Sequence, residues 1–458
     1  MTTPKLAEPT LAEAAAAPPP TRTSDRYCAV RRAATAELNR FEALSPAQLR
    51  DWQLDRVRDQ VRYAQLHSPF YGRTLGVEGG YDLTDVTGLA ALPFTTKQDL
   101  RDCYPFDLVA APRSELIRYG ESTGTSGSPT SSAITYDDWV RGNVSTERAV
   151  AAQFGPGDAV FVAIPYELSF AAYDLDRALE LIGVTVVGVG ILSAVCPIER
   201  TARMLATLRP AGIICTPTRA LRLFDLLTEL GHDPSRLGVR TILYAGETCS
   251  AAKLTKIAAL WGANLVSAYG TTETNSLALT CSAGALHLTE DRHYFEVIDP
   301  VTTAPVADGD MGELVLTTLA ARGMPLIRYR TGDLVVLNGS RCRCGSPRRV
   351  LHHYGRVGEQ LSVNGRTVNK LILEEAVLSV AGTGLYYAAG VRGGRLEVRV
   401  ECPPEAAATV CAAVSAQITK CFGVAAWVAP VDRRTVMRAM DRMLKPGSLS
   451  LEDLEVAR

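Results

Sequence analysis

The stretch AGIICTPTRALRLFDLLTEL (residues 211–230) passes from a short β-rich apolar run directly into an amphipathic helical one. The same change recurs on both sides of it. DAVFVAIP (158–165), GVTVVGVG (183–190), VRTILYAGE (239–247) and ANLVSAYG (263–270) read as buried strands, and PIERTARMLATL (197–208) as a helix between two of them. Strand, helix, strand at this spacing predicts parallel βαβ units in a layered α/β domain with mostly parallel sheets. After about residue 300 the texture turns hairpin-like, in FEVIDPVTT (295–303), GELVLTTL (312–319) and DLVVLN (333–338). Further on, RLEVRVEC (395–402) beside EAAATVCAAVSAQITKCF (405–422) fits a small C-terminal α+β domain. Upstream, RYCAVRRAATAELNRFEAL (26–44) and SPAQLRDWQLDRVRDQVRYAQLHSPFY (45–71) read as helices, the second capped by Ser45 with Pro46 in its first turn. Residues 1–26, rich in Ala, Pro and Thr, read as a disordered tail.

Composition narrows the class. The chain has 458 residues, 48 Lys+Arg against 49 Asp+Glu and 47% hydrophobic residues. That length predicts two or three domains at roughly 100–200 residues each. Near-neutral charge leaves no electrostatic footprint for nucleic acid or an anionic membrane. No uncharged apolar run approaches the roughly 18–20 residues that span a bilayer. The N-terminal MTTPKLAEPTLAEAAAAPPPTRTSDRY lacks the basic-then-apolar order of a secretory leader, so a cytoplasmic enzyme is expected. Eleven cysteines, an odd count, argue against a disulfide framework. Cys28, Cys103, Cys196, Cys215, Cys249, Cys402, Cys411 and Cys421 read as small buried hydrophobes. Lysines are few: Lys5, Lys97, Lys253, Lys256, Lys370, Lys420 and Lys445.

The segment YGESTGTSGSPTSSAITY (119–136) carries the strongest chemical signal. Glycines let backbone approach a ligand closely, and consecutive N–H and hydroxyl groups cradle phosphate. It is no Walker A loop, because G-x-x-x-x-G-K-[ST] is absent. Alone it could equally be a flexible Ser/Gly/Thr surface loop. Downstream, however, YAGE (244–247), SAYGTTET (267–274), GELVLT (312–317), RYRTGDL (328–334) and YGRVGE (354–359) follow in order.

With STGTSGSPT these motifs resemble the core motifs of the adenylate-forming superfamily: acyl-CoA synthetases, peptide-synthetase adenylation domains and luciferases. HSPFYG (67–72) and LPFTTKQDLRDCYPF (92–106) are similar to a signature of its phenylacetate–CoA ligase branch. The resemblance implies a large ATP- and acid-binding adenylation domain over 27–354 and a small mobile domain over 355–458, hinged at 355–359. It implies that Ser122, Thr123, Gly124, Thr125, Ser126 and Gly127 hold the β- and γ-phosphates of ATP. Tyr269 and Gly270, with Gly246 and Glu247, would border the nucleotide. Thr272 would contact the α-phosphate, Glu273 would hold Mg²⁺, and Asp333 and Arg356 would hold the ribose. Lys445 in DRMLKPGSL would be the adenylation lysine, with Lys420 and Lys370 as rivals. Tyr166, Phe170, Tyr173 and Ala245 would line an aromatic slot for the acid.

The implied reaction has two halves: a carboxylate attacks the α-phosphorus of ATP, expelling pyrophosphate, and the acyl-adenylate then passes to CoA. The chain departs from the family pattern in places. Ser128 stands where the phosphate loop usually ends in Lys, the hinge aspartate is replaced by Gly358 or Glu359, Asn364 precedes Gly365, and a later Pro is missing. The segment over 357–375 serves the second half-reaction, so adenylation is the better supported half. An aryl-acid–CoA ligase therefore stands beside an adenylating enzyme with another acceptor: an amine, a carrier-protein thiol, or nitrite in the diazotisation of an aryl amine. An inactive nucleotide-binding homologue is the third reading. Expected partners are an aromatic or aminoaryl acid and CoA or its substitute, with a homodimer left open.

A second cluster reads as metal. Cys281 and His287 in TCSAGALHLTED, with Cys342 and Cys344 in SRCRCGSP, supply four ligands for a closed tetrahedral structural zinc. The alternative is two unrelated loops with free thiols.

Overall fold

The structure, a computed structural model, describes residues 23–76, 83, 85–122, 128–191, 193–339, 342–440 and 449–456. Thr123, Gly124, Thr125, Ser126, Gly127 and Lys445 lie outside the described residues, as does most of the N-terminal tail.

An eleven-stranded sheet runs through the large part of the molecule. One half is parallel, in the order Thr185–Gly188, Ala159–Val162, Gly212–Cys215, Thr241–Tyr244 and Asn264–Thr271, as the βαβ spacing predicts. The other half is antiparallel and begins where Asn264–Thr271 turns back into Asn275–Thr280. It continues through Leu286–Leu288, Val350–Arg356, Tyr329–Asn338, Met311–Thr318 and His293–Ile298, the hairpin-like runs of the sequence. No helix among the described residues is long and apolar enough to cross a membrane.

Local chemistry sets the element ends. Pro217–Glu229 starts at Thr216, whose side chain accepts from the Arg219 N–H, with Pro217 at the first position where no N–H is needed. Ala251–Trp261 ends at Gly262, which adopts φ +60 as a left-handed cap. Pro46–His67 carries the expected Ser45 cap, completed as a capping box by Gln48. The first helix begins at Thr23 rather than at Tyr27, and Arg26 in its first turns pairs with Asp137 at 2.9 Å.

The C-terminal segment builds its own four-stranded sheet, ordered Ala426–Val431, Arg395–Glu401, Tyr387–Arg392, Leu449–Ser450. Its core of Val398, Val400, Val410, Val414 and Ile418 is separate from that of the large sheet. The two surfaces nevertheless interlock: Tyr386, Ala388, Val436 and Leu454 pack into the cluster containing Leu221, Ile257 and Trp261. Of the cysteines read as buried, only Cys103 and Cys215 are so; Cys28 and Cys421 are exposed and the other four partly exposed. Cys28 lies off the stripe of Ala34, Leu38 and Phe41 on its helix, whereas Cys421 shares the face of Val410, Val414 and Ile418 but sits in the last turn, at the helix end.

Candidate active site

The residues expected on the nucleotide come together where the two halves of the sheet meet. Tyr269, near the end of Asn264–Thr271, donates its hydroxyl to Asp333 Oδ2 at 2.7 Å. Asp333 is 2% exposed and pairs in register with Arg356 on the neighbouring strand, whose Nε lies 3.4 Å from Asp333 Oδ1. Burial opposes ionisation of Asp333, yet His353, Arg356 and the Tyr269 hydroxyl together hold its carboxyl below the usual range. Burial and the same carboxylate push the Tyr269 phenol well above its ordinary value, so it is a neutral donor. Sequence alone thus placed Tyr269, Asp333 and Arg356 separately, and strand register brings them together.

A second group of the expected site residues lies around Glu273, in the turn after Tyr269. Glu273 is 7% exposed, accepts the Thr130 hydroxyl at 2.7 Å and has Lys97 Nζ at 3.9 Å. Ser122 and Thr130 clamp the ends of the phosphate loop through two hydrogen bonds of 2.9 Å, Ser122 N–H to Thr130 O and Thr130 N–H to Ser122 Oγ. The turn needs Gly270, since a Cβ there would sit 2.1 Å from the Asn275 carbonyl. Thr272 is half-buried in the same turn. A buried carboxylate beside hydroxyls is a donor set suited to a hard divalent cation such as Mg²⁺. Two cations escaped the sequence reading. Lys97 and Arg101 project from Lys97–Asp102, and Arg101 Nε donates to the Ser128 carbonyl at 3.2 Å. Their signal lay in LPFTTKQDLRDCYPF, which marked the branch without assigning either side chain a role. They bring positive charge to the place where Ser128 supplies none.

The AGE segment closes a third side. Gly246 adopts φ +80, a conformation that favours glycine. Glu247 accepts from the Thr218 N–H at 3.0 Å, from the Thr218 hydroxyl and from Lys253 Nζ at 3.3 Å, so its carboxylate is engaged by the protein itself. Thr248 Oγ1 lies 3.1 Å from His353 Nδ1.

For the acid slot, the structure brings Phe170 and Glu273 onto one cavity of about 110 Å³, shared with Thr274, Ala133 and Gly142. Tyr166 and Tyr173 meet each other edge to face at 5.3 Å, while Ala245 is partly exposed at the end of Thr241–Tyr244. The Tyr166 hydroxyl is held by Asp176, and Arg118 lies over the partly exposed Tyr173 ring at 4.2 Å. Burial raises the Asp176 carboxyl to about 6. Lys420 is exposed in the last turn of Ala407–Phe422 and Lys370 opens Lys370–Leu378.

The four metal-type residues converge. The ligand atoms of Cys281, His287, Cys342 and Cys344 all lie within 4.8 Å of one another. Cys281 Sγ is 3.9 Å from Cys342 Sγ, and Cys344 Sγ is 3.3 Å from His287 Nε2. His287 Nδ1 lies 3.0 Å from the Arg348 carbonyl; donation there leaves Nε2 free to ligate.

Comparison with known proteins identifies the family. Residues 122–320 match the AMP-binding enzyme family, which defines the class. The chain is 32% identical over 384 residues to a phenylacetate–coenzyme A ligase of Pseudomonas putida, covering 80% of this chain and 86% of that protein. It is 33% identical over 362 residues to the corresponding ligase of Thermus thermophilus, covering 77% and 80%. Its fold superposes on 2-hydroxyisobutyryl-CoA ligase in the postadenylation state with a TM-score of 0.81 at 23% identity, covering 91% and 93%. The chain belongs to the phenylacetate–coenzyme A ligase family and is an AMP-forming ligase.

Proposed function

We propose that this protein activates an aromatic carboxylic acid with ATP as its acyl-adenylate and then transfers the acyl group to CoA. The observation that carries the reading is the convergence of Tyr269, Asp333 and Arg356 with the buried Glu273 at one sheet junction. Tyr269 would border the adenine, with Asp333 and Arg356 on the ribose. Glu273 would hold Mg²⁺, which supplies charge neutralisation to the triphosphate when bound. Lys97 and Arg101 add cationic stabilisation beside Glu273 and Ser128. The acid carboxylate attacks the α-phosphorus and pyrophosphate leaves, a step in which positioning and electrostatic stabilisation supply most of the acceleration. Lys445 is the proposed donor to the developing charge, delivered by a small domain over 355–458 that moves about 355–359.

Phe170, facing the same cavity as Glu273, supports an aromatic acid; Tyr166, Tyr173 and Ala245, which do not line that cavity, are the other proposed pocket residues. Cys281, His287, Cys342 and Cys344 are proposed to bind a structural zinc, since every ligand position is filled and none is open for substrate. The test is mass spectrometry of products from a panel of aryl and aminoaryl acids with Mg²⁺-ATP, run with CoA, with amines and with nitrite. Acyl-CoA with release of AMP is the expected outcome. An amide or diazo product without acyl-CoA overturns CoA as acceptor and leaves adenylation standing.

A further inference from the structure

His353 stands on Val350–Arg356, three residues before Arg356, and entered no motif in the sequence reading. Its ring is fixed on two sides. One face lies over Tyr269 with ring centroids 4.9 Å apart, and Nδ1 is 3.1 Å from the Thr248 hydroxyl. The remaining nitrogen, Nε2, is buried without a hydrogen-bond partner among the described residues and lies 3.6 Å from Asp333 Oδ1. That oxygen is the underused half of the carboxylate. Tyr269 occupies Oδ2 at 2.7 Å, whereas Arg356 Nε and His353 Nε2 face Oδ1 at 3.4 and 3.6 Å, longer than a good N–H···O bond of about 2.7–3.2 Å. A buried polar atom left unpaired costs free energy, and its presence at a ligand site marks a partner supplied by the ligand.

We infer that His353 is a ribose-reading residue: its Nε2–H donates to a sugar hydroxyl of the nucleotide that in turn donates to Asp333 Oδ1. The inference rests on the reading that Asp333 holds the ribose. Donation by the Thr248 hydroxyl to Nδ1 leaves the proton on Nε2, the tautomer that this arrangement requires. A hydroxyl seated beside both groups can accept from one and donate to the other. An ammonium or an ether at that point satisfies only one of them. Thr248, Tyr269 and Asp333 belong to three different motifs of the nucleotide site, and His353 touches all three.

The test is discrimination between ATP and its 2′-deoxy and 3′-deoxy analogues. Wild type is expected to favour ATP over at least one analogue. His353→Phe keeps the ring over Tyr269 and removes both nitrogens; it should raise KM for ATP roughly three- to tenfold, as loss of one hydrogen bond does, with KM for the acid unchanged. The penalty for the sensitive deoxy analogue should shrink by the same factor, because residue and hydroxyl form one cycle. His353→Gln, which retains an N–H, should recover part of the discrimination. Should His353→Phe fold poorly, Thr248→Val, which removes only the hydroxyl that sets the tautomer, should shift the same ratio in the same direction. Asp333→Ala, read by equilibrium binding of ATP and its deoxy analogues rather than by turnover, separates the two levels of the argument. If it abolishes discrimination while the His353 and Thr248 variants discriminate as wild type does, the role of His353 is overturned and the ribose site stands. If Asp333→Ala also discriminates as wild type does, the ribose site itself is misplaced.

Discussion

Lys253 is the buried centre of a three-charge contact that ties the C-terminal segment to the AGE segment. Its side chain is 10% exposed, with Nζ 3.3 Å from Glu247 Oε1 and 3.4 Å from Glu374 Oε2, and those carboxylates are 5% and 3% exposed. Glu374 and Glu375 also accept the Ser250 and Ala252 N–H groups at 2.8 Å each, at the start of Ala251–Trp261. Lys253→Met keeps the volume and leaves two buried carboxylates facing each other with no cation between them. Removing one partner of a buried pair typically costs about 3–5 kcal/mol. Glu374→Gln alone should cost less, because Lys253 keeps Glu247 and the Gln side-chain oxygen still accepts from Ser250. The double variant Lys253→Met/Glu374→Gln should be less destabilised than the sum of the singles by about 1 kcal/mol or more. The assay is equilibrium urea unfolding followed by tryptophan fluorescence, since Trp261 is fully buried on the same helix. Burial alone would lower the Lys253 pKa, but Glu374 and Glu247 override it and hold the value well above normal. A raised native pKa makes the lysine's contribution complete below the unfolded value of about 10.4 and lost only as pH rises through the native one. The wild-type advantage over Lys253→Met should therefore be flat from pH 7 to about 9. A cost under about 1 kcal/mol, or strict additivity in the double variant, would refute this account.

Glu273→Ala and Asp333→Ala should each abolish pyrophosphate release in an ATP–pyrophosphate exchange assay while leaving the far-UV circular dichroism unchanged; exchange at the wild-type rate in either variant would falsify the roles proposed for them. Lys445→Ala should slow adenylate formation by about 10²–10³ or more and spare consumption of supplied acyl-adenylate; a larger effect from Lys420→Ala or Lys370→Ala would move the adenylation lysine. Arg101→Ala should raise KM for ATP, and Ser128→Lys in that background should restore it, because both place a cation beside the same loop. Purified protein should carry about one zinc per chain by mass spectrometry under non-denaturing conditions, and Cys344→Ser should lower thermal stability rather than selectively reduce turnover. Metal-free protein of normal stability would remove the zinc site.

The order of the chemical motifs, the alternation of strand and helix over 155–320 and the cap at Ser45 were legible in the sequence. Each depends on neighbours within one or two turns, and periodicity records such neighbours directly. The four zinc-type ligands were legible too, because residue type alone limits what can bind a soft cation. Lys97, Arg101, Lys253 and His353 were not, and they share a reason. Each gains its chemical meaning from a partner distant in the chain: Glu273, Ser128, Glu374, and Asp333 with Thr248. The pairing of Asp333 with Arg356 is set by the register between two antiparallel strands, and a slip of one residue would turn the side chains of the shifted strand to the opposite face of the sheet. Likewise the exposure of Cys28 follows from which helical face meets the core, and that of Cys421 from its place in the last turn of its helix. The sequence by itself therefore determined the class of chemistry and the parts list of the fold. Tertiary structure alone decided which charges meet, because electrostatic and hydrogen-bonding partners are selected by distance in space, and distance along the chain does not encode it.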